Sequence, residues 1–200
     1  MAEWQMVGKP ALLLVHMQRA IVKVGSPLDG LGHSRATAES GIIPRQQALL
    51  KAFREKGLPV VFVNAYTPTE TKYPVYGRFW PFIEKTKVNS MGTADVEVIE
   101  ELAPLEGEPL FYNWPFGIFQ GNNLQDYLQE QKVDTLVLAG VATGMAVGTA
   151  AFACADRFYN LIVPEDASTD GNQELHEVVF KSMIPAIALV TTTDDVIGHL

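Results

Sequence analysis

Three features of this sequence could carry chemistry. His16 closes the apolar run Ala11–His16 (ALLLVH) and is followed by Met17-Gln18. An imidazole at the mouth of a pocket serves as acid or base near neutral pH. The same ring could equally be a core histidine satisfied by hydrogen bonds. The second feature is Gly140-Val-Ala-Thr-Gly144, between an apolar run and a helical stretch. Its spacing fits neither GxGxxG nor a P-loop, and no Lys-Ser or Lys-Thr follows. Backbone N–H groups at the start of the next helix could still hold an oxyanion or a carboxylate. The third is Cys154, the one cysteine, set among Ala151, Phe152, Ala153 and Ala155 about three turns into that helix. A reactive thiolate needs a helix N-terminus or a cationic neighbour, so Cys154 reads as a small buried thiol. No GxSxG occurs. The histidines at 16, 33, 176 and 199 are scattered without convincing ligand pairs, and Glu174, His176 and Glu177 read as a solvated helix face. No metal and no cofactor are expected.

Alternating short apolar runs and helical stretches must position these residues. Strands are expected at Ala11–His16, Val60–Val63, Pro109–Tyr112, Thr135–Ala139, Leu161–Val163 and Ala186–Val190. Helices are expected at Ile43–Lys56, Asn123–Gln131, Thr143–Phe158, Leu175–Met183 and Asp194–Leu200, with a short acidic one at Asp95–Leu102. Thr67–Ser90, rich in proline and aromatics, reads as loop. This alternation predicts an α/β protein of three layers, α/β/α, around a six-stranded, mostly parallel sheet. Ligands of such sheets sit beyond the carboxyl ends of the strands. The positions to inspect are therefore His16, Asn64 to Tyr66, Asn113 and Gly140 to Ala146.

Composition narrows the partners. The chain has 200 residues, 48% apolar and 19% charged, with net charge −8. One domain spanning 1–200 is expected, burying roughly 70% of its unfolded surface. No block of Lys or Arg exists to track phosphates or anionic lipid, so neither nucleic acid nor a membrane is expected. Leu136–Ala155 is uncharged and contains Gly140, Gly144 and Gly148 at GxxxG spacing. Its β-prone start and internal turn residues favour strand, turn and small-residue helix over a membrane span. Met1–Lys9 lacks the pattern of a secretory leader, so a cytoplasmic location is the default.

Four segments together resemble one family. Ala11–Gln18 is similar to an opening strand that usually ends in Asp-x-Gln. Gly107–Phe119 is similar to a segment in which a lysine stands six residues before a phenylalanine; here Asn113 stands six before Phe119. Val133–Ala150 resembles the segment that normally carries Thr-x-x-Cys-Val-x-x-Thr-Ala, and Glu165–Ala167 with Leu175-His-Glu continues the likeness. The family is the isochorismatase-like (cysteine hydrolase) superfamily, matched over residues 10 to 200, with a Rossmann-like fold.

That resemblance implies hydrolysis of small amides, imides or a vinyl ether, homo-oligomers (dimer or tetramer), and a peptide between residues 141 and 142 that is often cis. In the family's hydrolases Cys attacks, Asp takes its proton and Lys balances charge. The matched positions here hold His16, Asn113 and Ala146. Replacing both members of a buried Asp–Lys pair with neutral-capable groups avoids stranding one charge, a loss of roughly 3–5 kcal/mol. Two functions follow as expectations. One is a hydrolase or lyase without a cysteine nucleophile, with His16 and Asn113 catalytic. The other is an inactive family member that binds a small ligand or serves as a subunit. In either, Gln18, Tyr66, Trp80, Trp114, Ala142, Thr143 and Ala146 would contact a small-molecule substrate or ligand. Tyr76 and Arg78 stand in the same loops.

Overall fold

A computed structural model describes residues 4–68, 70–114 and 116–200. Residues 1–3, within the stretch read for a leader, lie outside it, as do Thr69 of the Thr67–Ser90 loop and Pro115 of the family-like Gly107–Phe119 segment. The strands are β1 (Pro10–Val15), β2 (Val60–Ala65), β3 (Leu110–Asn113), β4 (Thr135–Val141), β5 (Asn160–Pro164), β6 (Ser168–Thr169) and β7 (Leu189–Thr191). The helices are α1 (Arg19–Val22), α2 (His33–Ser40), α3 (Ile42–Glu55), α4 (Phe79–Thr86), α5 (Leu124–Glu130), α6 (Gly148–Ala155), α7 (Gln173–Val178) and α8 (Thr193–Gly198). All strand pairings are parallel, in the order β3-β2-β1-β4-β5-β7, and the two-residue β6 pairs with the end of β4.

β1 and β4 lie at the centre, and every residue of both is buried. That is why they read as unbroken apolar runs rather than alternating ones. Alternate β1 residues feed two cores. Leu12 and Leu14 pack with Ile42, Leu49, Phe53 and Val196 on one face. Ala11, Leu13 and Val15 pack with Leu124, Leu128, Ala150 and Val179 on the other. Helix α3 buries Ile42, Gln46, Leu49, Leu50 and Phe53, the spacing of a single helical stripe.

The small-residue pattern has a local explanation. A Cβ at Gly144 would run into the Leu175 side chain, and one at Gly148 would meet Thr143 O at 3.1 Å and Val179 Cγ1 at 3.6 Å. These glycines let the segment around α7 pack closely against the start of α6. Among the described residues, no helix is long and apolar enough to cross a membrane.

Several boundaries differ from the sequence reading. Thr67–Ser90 contains α4. Asp95–Leu102 forms two 3₁₀ turns, Ala94–Val96 and Glu100–Leu102, because Val98 between them bridges Gln18. The helix after β4 opens with a π-helical turn, Thr143–Val147, and another, Val179–Met183, extends α7. The last strand begins at Leu189 because Ile184–Ala186 coils into a 3₁₀ turn around Pro185. Helix α2 escaped notice because its buried side chains are Ser34 and Thr37, which give no apolar stripe.

Gly140 sits at φ 144°, where an added Cβ would collide with the Val15 carbonyl of β1. Gly140→Ala should therefore cost about 2–4 kcal/mol in urea unfolding, through overpacking and a disfavoured backbone. Gly30→Ala, where no other part of the described residues lies within 4 Å of the added Cβ, should shift stability by no more than about 0.5 kcal/mol.

Candidate functional site

The carboxyl ends of β1, β2 and β3 bring His16 and Asn113 together. His16 leaves β1 with φ 57°, a region that few residues other than glycine adopt. Its amide still donates to Val63 O at 2.7 Å, so the backbone turns at a fixed point and the ring leaves the strand's alternation. Asn113 is the last residue of β3, opposite Ala65 of β2, and its carbonyl accepts the Tyr66 N–H at 3.1 Å. Across that gap His16 Nε2 lies 3.0 Å from Asn113 Oδ1. A carboxamide oxygen only accepts, so Nε2 carries the proton. His16 is 7% exposed and Asn113 is fully buried.

Burial lowers the His16 pKa to about 4, against a smaller opposing pull from the hydrogen bond to Asn113. The ring is neutral near pH 7. Among the described residues, Asn113 Nδ2 is buried without a partner and His16 Nδ1 makes no hydrogen bond.

The other residues singled out in the sequence take varied places. Gln18 is spent on the protein itself. Its Nε2 donates to Ala65 O (3.0 Å), Asn89 Oδ1 (2.9 Å) and Asp95 O (3.2 Å), and its Oε1 accepts the Ala65 N–H at 2.7 Å. It braces the end of β2, and both ends of its carboxamide are engaged within the protein. Trp80 and Trp114 belong to a half-buried aromatic cluster with Tyr73, Phe79 and Phe116, at centroid separations from 5.1 to 5.9 Å. One peptide bond joins this cluster to Asn113. Tyr66 lines a hollow on the outer edge of β3 with Met91, Phe111 and Tyr112.

Beyond β4, the Val141–Ala142 peptide is cis. The Ala142 carbonyl accepts from Ala146 N (2.9 Å) and Val147 N (3.0 Å), and the Gly144 N–H donates to Asp170 Oδ2 at 2.8 Å. Two of the N–H groups expected to form an anion hole are thus already occupied. The Ala146 methyl is 4% exposed and joins the apolar layer that contains Val15 and Val147. Cys154 is fully buried, and burial pushes its thiol up to about 12.

Sequence reasoning missed a second polar cluster behind this turn. Thr143 Oγ1 lies 2.8 Å from His176 Nδ1. His176 is buried, not on a solvated face as expected. The signal was present: His176 stands three and four residues before Val179 and Phe180, both buried, and so shares their helical stripe. Among the described residues, no group of three or more His, Cys, Asp or Glu is placed to hold a metal ion.

The isochorismatase domain model matches residues 10–195. An uncharacterized isochorismatase family protein of Bacillus subtilis, YwoC, is 26% identical over 94% of this chain and 92% of its own. The phenazine biosynthesis protein PhzD1 of Pseudomonas aeruginosa is 27% identical over 98% of this chain and 89% of its own. A cysteine hydrolase from Pseudomonas syringae superposes with a TM-score of 0.83 at 21% identity, covering 100% of this chain and 98% of that one. A parallel sheet clothed by helices on both faces is the α/β architecture of isochorismatase-like structures. The chain belongs to the isochorismatase family.

The neutral burial of His16 fixes a pH signature. Its folded-state pKa lies below its unfolded one, so the unfolded chain takes up the proton first as pH falls. The stability owed to neutral His16 is present above pH 6.5 and lost between there and about 4. Lowering the pH from 7 to 4 should cost the native chain about 3 kcal/mol more than the His16→Asn variant. Asparagine tolerates positive φ, and urea unfolding at both pH values gives the comparison.

Proposed function

We propose that this chain holds a small uncharged molecule at the strand tips, through His16 and Asn113, without thiol chemistry. The observation that carries the reading is the buried, unpaired Asn113 Nδ2 beside a neutral imidazole. A buried donor without a partner costs roughly 1–3 kcal/mol, and a carbonyl oxygen on a ligand would remove that cost. Neither side chain of the pair offers a charge at neutral pH with which to hold an ion.

By their resemblance to the family's motifs, His16, Asn113 and Ala146 stand where its hydrolases carry Asp, Lys and Cys. A methyl group at 146 cannot attack a carbonyl. Cys154, sealed and with its thiol pushed up to about 12, does not replace it. A group that moves protons works best when its pKa lies near the operating pH, and His16 at about 4 sits well below neutrality. Binding without turnover, in an inactive member of the family, is the function this geometry supports best. A second reading keeps catalysis. His16 Nδ1, which bonds to none of the described residues, could take a proton from water, giving a hydrolase or lyase whose rate rises with pH through about 4 and is flat above it.

Benzamide and benzoate separate the outcomes. Benzamide should quench tryptophan fluorescence with a Kd at least tenfold below that of benzoate, and Asn113→Ala should weaken it about tenfold, the equivalent of one hydrogen bond. No ammonia should be released. Ammonia release that a thiol-alkylating reagent blocks would contradict the reading, and release lost in His16→Phe but untouched by alkylation would establish the catalytic one.

A further inference from the structure

The carboxylate of Asp170 is the feature that neither function uses. It follows β6, is 5% exposed, and accepts two backbone N–H groups: Gly144 on Oδ2 at 2.8 Å and Asn172 on Oδ1 at 3.0 Å. The first reaches across to the turn Thr143–Val147 that follows β4. Among the described residues, the side chain able to carry positive charge that comes within 4 Å is His33, at the start of α2, with Nδ1 3.8 Å from Asp170 Oδ1. That Nδ1 is already an acceptor, because the Gly171 N–H donates to it at 3.0 Å. The His33 proton therefore lies on Nε2, and a lone pair on nitrogen faces a carboxylate oxygen.

We propose that Asp170 is the positioning residue of the Thr143–Val147 turn, and that a single proton bound between His33 and Asp170 decides whether it holds that turn. Taken up from solvent, the proton forms a bond to His33 Nδ1. That nitrogen can then no longer accept from Gly171 N–H and instead donates to Asp170 Oδ1. The carboxylate turns toward the new donor and draws Oδ2 away from Gly144 N–H.

The loop cannot absorb the change alone. A Cβ at Gly171 would run into the Leu31 carbonyl, and one at Gly32 would lie 3.3 Å from Gly171 O, so loop and helix start are in direct contact. Burial holds the His33 pKa below the usual range while Asp170 pulls it up. Proton uptake therefore falls on the acid side of neutrality.

The other charged groups nearby act on His176. Glu165 lies 3.9 Å from its Nε2, and Glu165, Asp170 and Glu177 all raise a pKa that burial lowers. Asp29 is held by the Ser34 hydroxyl. The bearing of this latch on ligand binding rests on the strand-tip reading above; the latch itself does not.

Nitrogen-15 spectra of the full chain from pH 8 to pH 5, without ligand, test it. The Gly144 and Gly171 amide resonances should move together, with the midpoint of the His33 ring. In His33→Gln the Gly144 step should vanish, and in His176→Gln it should persist. Should His33→Gln fail to fold, Asp170→Asn must abolish the Gly144 step while the His33 ring still titrates. A Gly144 step that survives these changes, or a His33 titration that Gly144 never feels in the native chain, would overturn the proposal. Because no ligand is present, either result leaves the benzamide experiment to judge the strand-tip site separately.

Discussion

A hydrogen bond between two neutral side chains, His16 and Asn113, sets the character of the carboxyl end of this sheet. The partners lie 97 residues apart and come from strands separated by β2. Their meeting depends on the parallel register of three strands and on the positive φ of His16, which takes the ring off its own strand. Neutrality follows from burial: an imidazolium at this depth would need a counter-charge, and a carboxamide supplies none. Gln18, two residues on, makes the arrangement rigid by tying the end of β2 to Asn89 and Asp95.

The fold was legible where burial leaves a simple trace. The central strands, covered on both faces, appear as continuous apolar runs, and α3 appears as a stripe. Shorter elements were obscured by their own chemistry. Helix α2 buries hydroxyls, α4 lies within a proline- and aromatic-rich stretch, and β7 is only Leu189–Thr191 because the chain around Pro185 coils first.

The site was legible in a different sense. Strand position pointed to both His16 and Asn113, but a chemical role for Asn113 came from the family likeness. Gln18 and Thr143 were singled out for contact with a ligand, and both make hydrogen bonds within the protein. Nothing in the one-dimensional chain marks a residue whose hydrogen bonds are all internal. Asp170 and His33 could not have been paired from sequence, since 137 positions separate them and the link runs through the backbone of Gly171. The family's parallel sheet thus carries a neutral polar pair at the tips of β1 and β3, with a buried carboxylate, Asp170, behind the β4 turn.

The protonation of His16 is the quantity on which this depends, and nitrogen-15 NMR of the imidazole reads it directly. The neutral pair predicts a ring in the Nε2–H tautomer from pH 8 down to pH 5, with Nδ1 bare and the titration midpoint near 4. A ring protonated on both nitrogens at pH 7, or a Nδ1–H tautomer, would contradict it.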